Sequence, residues 1–144
     1  MTVDVCQTSR NTSDKSLVKI SGQLVFLNVA LMGLEGKHND RSLVIQMLRS
    51  VQAIQATCQR RRFSDLEWLA GDMEDLLDNI QGGLLPVSFR IVRLLRRGVD
   101  AFESGLDSLT QGLPVPRMLD DVRFAIQDML AAPSIDCQKT LILN

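Results

Sequence analysis

The sequence predicts an all-α protein, an antiparallel four-helix bundle with one additional C-terminal helix. Apolar residues recur at steps of three and four along most of the 144 residues, which is the spacing of one helix face. Hydrophobic residues make up 45% of the chain, but aromatic residues only 4%, and tyrosine is absent. The core must therefore be aliphatic, which is more typical of a helical bundle than of a sheet sandwich. At this length a single domain is expected.

The first helix is predicted to begin at Asp14, because residues 1–13 are polar and aperiodic and are interpreted as a flexible N-terminal arm. Its apolar stripe consists of Leu17, Ile20, Leu24, Leu27, Leu31 and Leu34. Gly36 ends this helix, and Asp40 is a suitable N-cap for the second. The apolar side of the second helix carries Val44, Met47, Leu48, Val51, Ile54 and Cys58.

Three further helices follow at the next glycine and proline signals. Ser64 and Glu67 form a capping-box pattern, which predicts that the third helix begins near Ser64. Gly82 and Gly83 end it, and the fourth helix begins after Pro86. The predicted bundle spans 14–112, a fifth packing helix spans 113–132, and 133–144 form a C-terminal tail.

The segment from Arg49 to Asp78 carries a more specific pattern, RSVQAIQATCQRRRFSDLEWLAGDMEDLLD. The residues that match a known pattern are Arg49, Val51, Ile54, Phe63, Leu66, Leu69, Ala70, Glu74, Leu76, Leu77 and Asp78. With them the segment resembles the histidine phosphotransfer (HPt) domain at the N-terminus of CheA-type chemotaxis kinases. That family reads roughly R-x-V-H-T-I-K-G-x-x-G-x-x-G-F, then L-x-x-L-A-H-x-x-E-x-L-L-D. The resemblance covers about Leu17 to Leu109 and also implies a four-helix bundle.

The chain departs from this pattern at the reactive positions. Gln52 stands where the family has its phosphorylated histidine, and an amide forms no phosphoramidate. The family lysine is replaced by Gln55 and the next glycine by Ala56, whereas Gln59 and Arg62 replace later glycines. Gly71 stands where the second helix of the family has a histidine. The resemblance therefore implies a degenerate domain without a catalytic residue.

A polar face on the second helix is the candidate site. It comprises Arg49, Gln52, Gln55, Ala56, Gln59 and Arg62, and the glutamines recur at helical spacing. One interpretation is a solvated helix surface; the other is a partner-binding face, because amides donate and accept hydrogen bonds without a charge to desolvate. In the family, the glutamate at Glu74 holds the histidine ring, so the resemblance implies a supporting contact from Glu74 to Gln52.

Several other features have two interpretations. The run Arg60–Arg62 is a solvated helix end or a contact for an acidic partner. Gly98 and Gly105, which share one helix face, allow close packing of the fifth helix or form a homodimer seam. Trp68 lies off the main stripe of its helix and is a candidate interface anchor. The acidic third helix and the basic fourth helix are expected to pair with each other.

Composition excludes several classes of function. The net charge of −1 gives no reason to expect nucleic acid or an anionic membrane as partner. Cys6, Cys58 and Cys137 lack metal-ligand spacing and are interpreted as free cytoplasmic thiols, and the one histidine, His38, sits in a polar turn. No metal or cofactor is expected. No window approaches 18 uncharged apolar residues, and no signal peptide is recognised, so the expected location is the cytoplasm.

Together these features predict a non-catalytic pseudo-phosphotransfer module of a bacterial two-component or chemosensory pathway. Domains of this type occur in proteins similar to the type IV pilus chemosensory kinases. The expected partner is a response regulator or a sensor kinase, and the oligomeric state is open between monomer and homodimer. One alternative is an active phosphocarrier that uses a non-standard residue such as His38. Another is a structural or dimerisation bundle.

Overall fold

A computed structural model of the chain describes residues 2–37 and 39–143, with side chains described for 15–37 and 39–131. The helices are α1 (Thr2–Gly36), α2 (Arg41–Arg61), α3 (Ser64–Gln81), α4 (Phe89–Gln111) and α5 (Met118–Leu143). No strand occurs among these described residues. The predicted all-α bundle with an extra C-terminal helix is confirmed.

The helices pack in a ring of neighbours. α2 lies between α1 and α3, α4 contacts α1 and α3, and α5 packs against both α3 and α4. A polar ladder joins α1 to α4 at two levels. Arg96 donates to Asn28 Oδ1 at 2.7 Å and to Glu35 Oε1 at 2.8 Å, and Asn28 Nδ2 donates to Glu103 Oε1 at 2.8 Å. Later residues of α1 thus meet earlier residues of α4, so these two helices are antiparallel.

One aliphatic core runs through the bundle. The α1 stripe from Ile20 to Leu34 is buried, as are the apolar residues predicted for α2. Six leucine and valine residues from α1 to α4 lie in this core and are each at most 4% exposed: Leu24, Leu27, Val51, Leu69, Leu76 and Leu95. Phe102 of α4 is the one aromatic side chain that is fully buried among the described residues. The prediction of an aliphatic core is confirmed.

Helices α2 and α3 begin at the predicted places, but only one of the two predicted capping interactions is present. Asp40 caps α2 as predicted, because its Oδ1 accepts hydrogen bonds from the Ser42 and Leu43 backbone N–H groups at 3.0 and 3.4 Å. A further hydrogen bond from the Ser42 hydroxyl is the main cause that lowers the pKa of Asp40. α3 does begin at Ser64, but Phe63 occupies the N-cap position without a side-chain hydrogen bond. The predicted capping box is therefore wrong.

The first and last helices are longer than the sequence pattern predicted. α1 begins at Thr2 instead of near Asp14, and α5 continues to Leu143 beyond Pro133. A helix satisfies its own backbone hydrogen bonds, so a stretch without an apolar face can be helical. Proline disfavours a helix interior because it removes one backbone hydrogen bond, yet α5 continues past Pro133.

One segment contradicts the expectation that no stretch of the chain approaches the length and apolar character of a membrane span. Residues Lys15–Gly36 are long and apolar enough to cross a membrane by length and composition, with a mean hydropathy of 1.7 in the most apolar window. The expectation that no stretch approaches this limit is wrong. Within the bundle, 33% of that window is buried, so one side of the helix belongs to the core and most of the window is exposed. No other helix of the described chain meets the same criterion.

Two glycines of α4 bring its backbone close to the neighbouring helices. A Cβ on Gly98 would lie 2.5 Å from Met73 Sδ of α3. A Cβ on Gly105 would lie 2.7 Å from Leu66 Cδ2 of α3 and 3.3 Å from Leu119 Cδ2 of α5. Both glycines are buried, so their shared face serves packing within the chain, and the homodimer seam suggested for them is wrong.

Replacing Gly105 with alanine should destabilise the bundle relative to a matched change. Gly22→Ala on the outer side of α1 meets no atom within 4 Å and should gain about 0.5–1 kcal/mol from helix propensity. Gly105→Ala has the same propensity gain but overpacks the contact with Leu66, so it should be less stable than Gly22→Ala by ~1–3 kcal/mol. Urea unfolding followed by circular dichroism measures both. Equal stabilisation by the two variants would contradict this prediction, because it would show that the α3–α4 contact has room for a methyl group at residue 105.

Candidate functional site

The polar face predicted on α2 lies at the surface of the bundle. Arg49, Gln52, Ala56 and Gln59 are all exposed. They share one side of α2 because they recur at steps of three and four residues. Arg62, also exposed, follows at the C-terminal end of the helix. A partner could therefore reach these side chains without rearrangement of the helices.

Gln55 differs from the other glutamines of this face. Its side chain is half-buried, and its Nε2 lies 3.4 Å from the position that a Cβ on Gly71 would take. The amide therefore reaches across to α3, into space that is open because residue 71 has no side chain. Gln55 thus serves the contact between α2 and α3 as well as the polar face.

The end of α2 holds an unusual backbone conformation. Arg62 has φ 58° and ψ 38°, and it is the one non-glycine residue with positive φ in the described chain. The Phe63 N–H donates to Cys58 O at 2.9 Å and the Arg62 N–H to Gln59 O at 3.3 Å, which closes the helix in a Schellman-like turn. Phe63 then packs against the core.

Glu74 lies on α3 with its side chain half-buried. No hydrogen bond joins it to Gln52 among the described side chains, so this structure lacks the supporting contact that the resemblance implies. The adjacent Asp75 has its pKa raised by burial and by the negative charges of Asp72 and Asp78.

The ion pairs of the acidic and basic helices do not join α3 to α4. Arg123 of α5 holds Asp72 of α3 at 2.7 Å between Nε and Oδ2. Arg96 of α4 instead pairs with Glu35 of α1. No described ion pair links α3 to α4, so the expected pairing of their charges is wrong, although the two helices do contact each other. The acidic α3 therefore forms its ion pair with α5, and the basic α4 forms its ion pair with α1.

Trp68 is 53% exposed on α3, and the Arg123 guanidinium lies 5.4 Å from its ring centroid. A stacked arginine fixes the ring and leaves an edge for a partner, so the role of interface anchor stays a prediction.

The one described thiol offers no reactive group. Cys58 is fully buried at the end of α2, and burial, with a smaller effect of Glu67, raises its pKa to about 12. At neutral pH it is therefore protonated and shielded from reagents. The side chains of Cys6 and Cys137 and all of His38 lie outside the described residues. In the part that the structure describes, no three His, Cys, Asp or Glu side chains are grouped to hold a metal ion.

A second surface, on α1, was missed by the sequence analysis. Large apolar side chains are 60–68% exposed along its outer side: Val18, Val25, Phe26, Val29 and Met32. The analysis followed only the stripe that faces the core. The signal that was available is a second set of apolar residues at steps of four and three on the opposite side of the same helix.

Comparison with known proteins does not assign a family: no family model matches the chain, and no curated protein shows a significant match.

Arg62→Gly should stabilise the protein. A left-handed conformation costs a non-glycine residue roughly 1 kcal/mol, so glycine should gain about 0.5–1 kcal/mol here. Arg60→Gly is the matched control, because Arg60 is helical and glycine should cost it ~1 kcal/mol. The midpoints of urea unfolding should therefore shift in opposite directions. A loss of stability in both variants would contradict the left-handed turn at the end of α2.

Proposed function

We propose that this protein is a non-catalytic pseudo-phosphotransfer module that binds a signalling partner through the polar face of α2. The observation that carries the proposal is Gln52. It stands exposed on α2, at the position where the resemblance to HPt domains expects the phosphorylated histidine. The site thus keeps the accessibility that a docking partner needs, but not the nucleophilic nitrogen that accepts a phosphoryl group.

The conformation of Arg62 supports the same proposal. The HPt pattern has a glycine directly before its phenylalanine, and here Arg62 directly precedes Phe63. Arg62 adopts the left-handed conformation that glycine tolerates best, and Phe63 packs on the core. The left-handed turn gives a structural reason for the glycine that the HPt pattern has at this position. This favours a relation between the chain and the HPt fold over a chance match of the pattern.

The chemistry of the face suggests what it contacts. The exposed amides of Gln52 and Gln59 can donate and accept hydrogen bonds, while Arg49 and Arg62 add positive charge at the two ends of the face. A protein surface with carboxylates around a small polar patch would fit this arrangement. Among the partners expected for an HPt-like domain, a response regulator or sensor kinase of a bacterial chemosensory pathway meets that description. The proposed location is the cytoplasm.

A structural or dimerisation bundle is the second candidate, and the exposed apolar side of α1 favours it. An active phosphocarrier would need another acceptor, such as His38, which lies outside the described residues. Labelling with radioactive or otherwise marked phosphate from ATP distinguishes an active phosphocarrier from the proposed non-catalytic module.

The protein should accept no phosphoryl group. Incubation with a cognate sensor kinase and labelled ATP should leave it unlabelled, because Gln52 cannot form a phosphoramidate. A histidine-bearing HPt domain from the same pathway serves as positive control for kinase activity. An acid-labile label that maps to His38 would contradict the proposal and favour the phosphocarrier.

Charging the polar face should weaken partner capture. Gln52→Glu with Gln59→Glu places like charge before an acidic partner, or unpaired charge in a dry contact. Gln55 is left unchanged, because its contact with α3 would confuse binding with stability. Affinity capture from source-cell lysate, quantified by mass spectrometry, should show at least about a 10-fold loss of the specific partner.

Gln111→Glu is the matched control for this experiment. Gln111 is an exposed glutamine at the end of α4, on a different helix from the polar face. Circular dichroism should show intact helices in all variants. Equal capture by the double variant and by Gln111→Glu would exclude the polar face as the binding surface.

A further inference from the structure

Helix α1 carries two apolar seams on opposite sides. The inner seam packs in the bundle core. The outer seam consists of Val18, Gly22, Val25, Val29, Met32 and Gly36, and every one of these residues is exposed. They follow one another at steps of four, three, four, three and four residues. This is the 3.5-residue period of a helix that packs along another helix.

The outer seam is shaped for a helix and not for lipid. Gly22 lies between Val18 and Val25 in the seam and Gly36 ends it, and a Cβ on either glycine would meet no atom within 4 Å. Such gaps admit side chains or a closely approaching backbone from a partner helix. A lipid surface needs no such gaps. Spanning a bilayer would also require the inner seam to leave the core.

The area of the seam is sufficient for a pairing between two copies. Together with the adjacent Phe26, five large apolar side chains are about two-thirds exposed, and each presents on the order of 100 Å². A twofold contact would bury on the order of 1,000 Å² over both copies, which is about the threshold of a specific interface. A twofold contact uses the same patch on each copy, so one self-complementary seam suffices.

The lack of charge along the middle of the seam is compatible with a second copy as the occupant. Partner choice between packed helices is set largely by charged residues that flank the apolar seam. Between Lys19 and Glu35, α1 contains no charged residue at all. The seam therefore has no charge pattern that would reject its own copy or select a foreign helix.

We propose that the protein forms a homodimer in which the outer seam of α1 packs against the outer seam of a second copy. This contact shares no residue with the polar face of α2, so it is independent of the proposed signalling role.

Sedimentation velocity over a concentration series tests the pairing. The wild-type chain should be dimeric at tens of micromolar. Val25→Lys places a charge in each half of the seam and should raise the dimer dissociation constant by about 100-fold or more. Phe124→Lys is the matched control, because Phe124 is 66% exposed on α5 away from the seam, and it should leave the dimer unchanged. Circular dichroism verifies the fold, and Met32→Lys replaces Val25→Lys if that variant fails to fold.

Three results would overturn the proposal. The first is a wild-type chain that remains monomeric at hundreds of micromolar. The second is a dimer that folded Val25→Lys or Met32→Lys leaves intact, or that Phe124→Lys dissociates equally. The third is a monomer that floats with vesicles of neutral or anionic phospholipid and loses this binding on Val25→Lys, since lipid would then cover the seam. Partner capture through Gln52 and Gln59 can fail or succeed without affecting these outcomes.

Discussion

The close approach of α4 to α3 at Gly98 and Gly105 is the constraint that decides where α5 can pack on the bundle. With an aliphatic core, stability comes from dense packing of Leu, Ile, Val and Met, and that packing requires short distances between helix axes. Gly98 and Gly105 allow this approach by leaving room for Met73 and Leu66. α5 then covers the junction of the same two helices, where Leu119 meets Gly105 and Arg123 holds Asp72. The other side of the bundle is left to α1 and α2, which carry both candidate interaction surfaces.

These two surfaces differ in the chemistry that a partner must bring. The polar face of α2 offers neutral amides with arginines at its ends, so it favours a contact that forms and dissociates in water. The outer seam of α1 offers almost no hydrogen-bonding groups, so only another apolar surface would gain by covering it. A chain with both surfaces would combine the proposed self-association with the proposed transient contact. Signalling modules combine these properties when they present binding faces in pairs, because paired sites raise the effective concentration of a partner.

Sequence pattern predicted most of the fold because it reports burial directly. The five helices, the stripe from Ile20 to Leu34 and the cap at Asp40 all follow from local spacing and local chemistry. Features that depend on which helices become neighbours could not be predicted in this way. The charges of α3 and α4 suggested a pair, yet Asp72 turns to α5 and Arg96 to α1. The dual role of Gln55 likewise depends on Gly71 of another helix, which spacing along α2 cannot reveal.

The apolar character of α1 shows why hydropathy alone gives an ambiguous answer. A helix with one core face and one partner face has the same average hydropathy as a helix surrounded by lipid. The distinguishing property is how the apolar residues are divided between the two sides. In α1 the inner seam is already buried in the bundle core, and the outer seam is a row of exposed apolar side chains with Gly22 within it and Gly36 at its end. Lipid would contact every side of a spanning helix, whereas a second helix contacts one row. The division of α1 into two rows is therefore the property that argues for a protein partner.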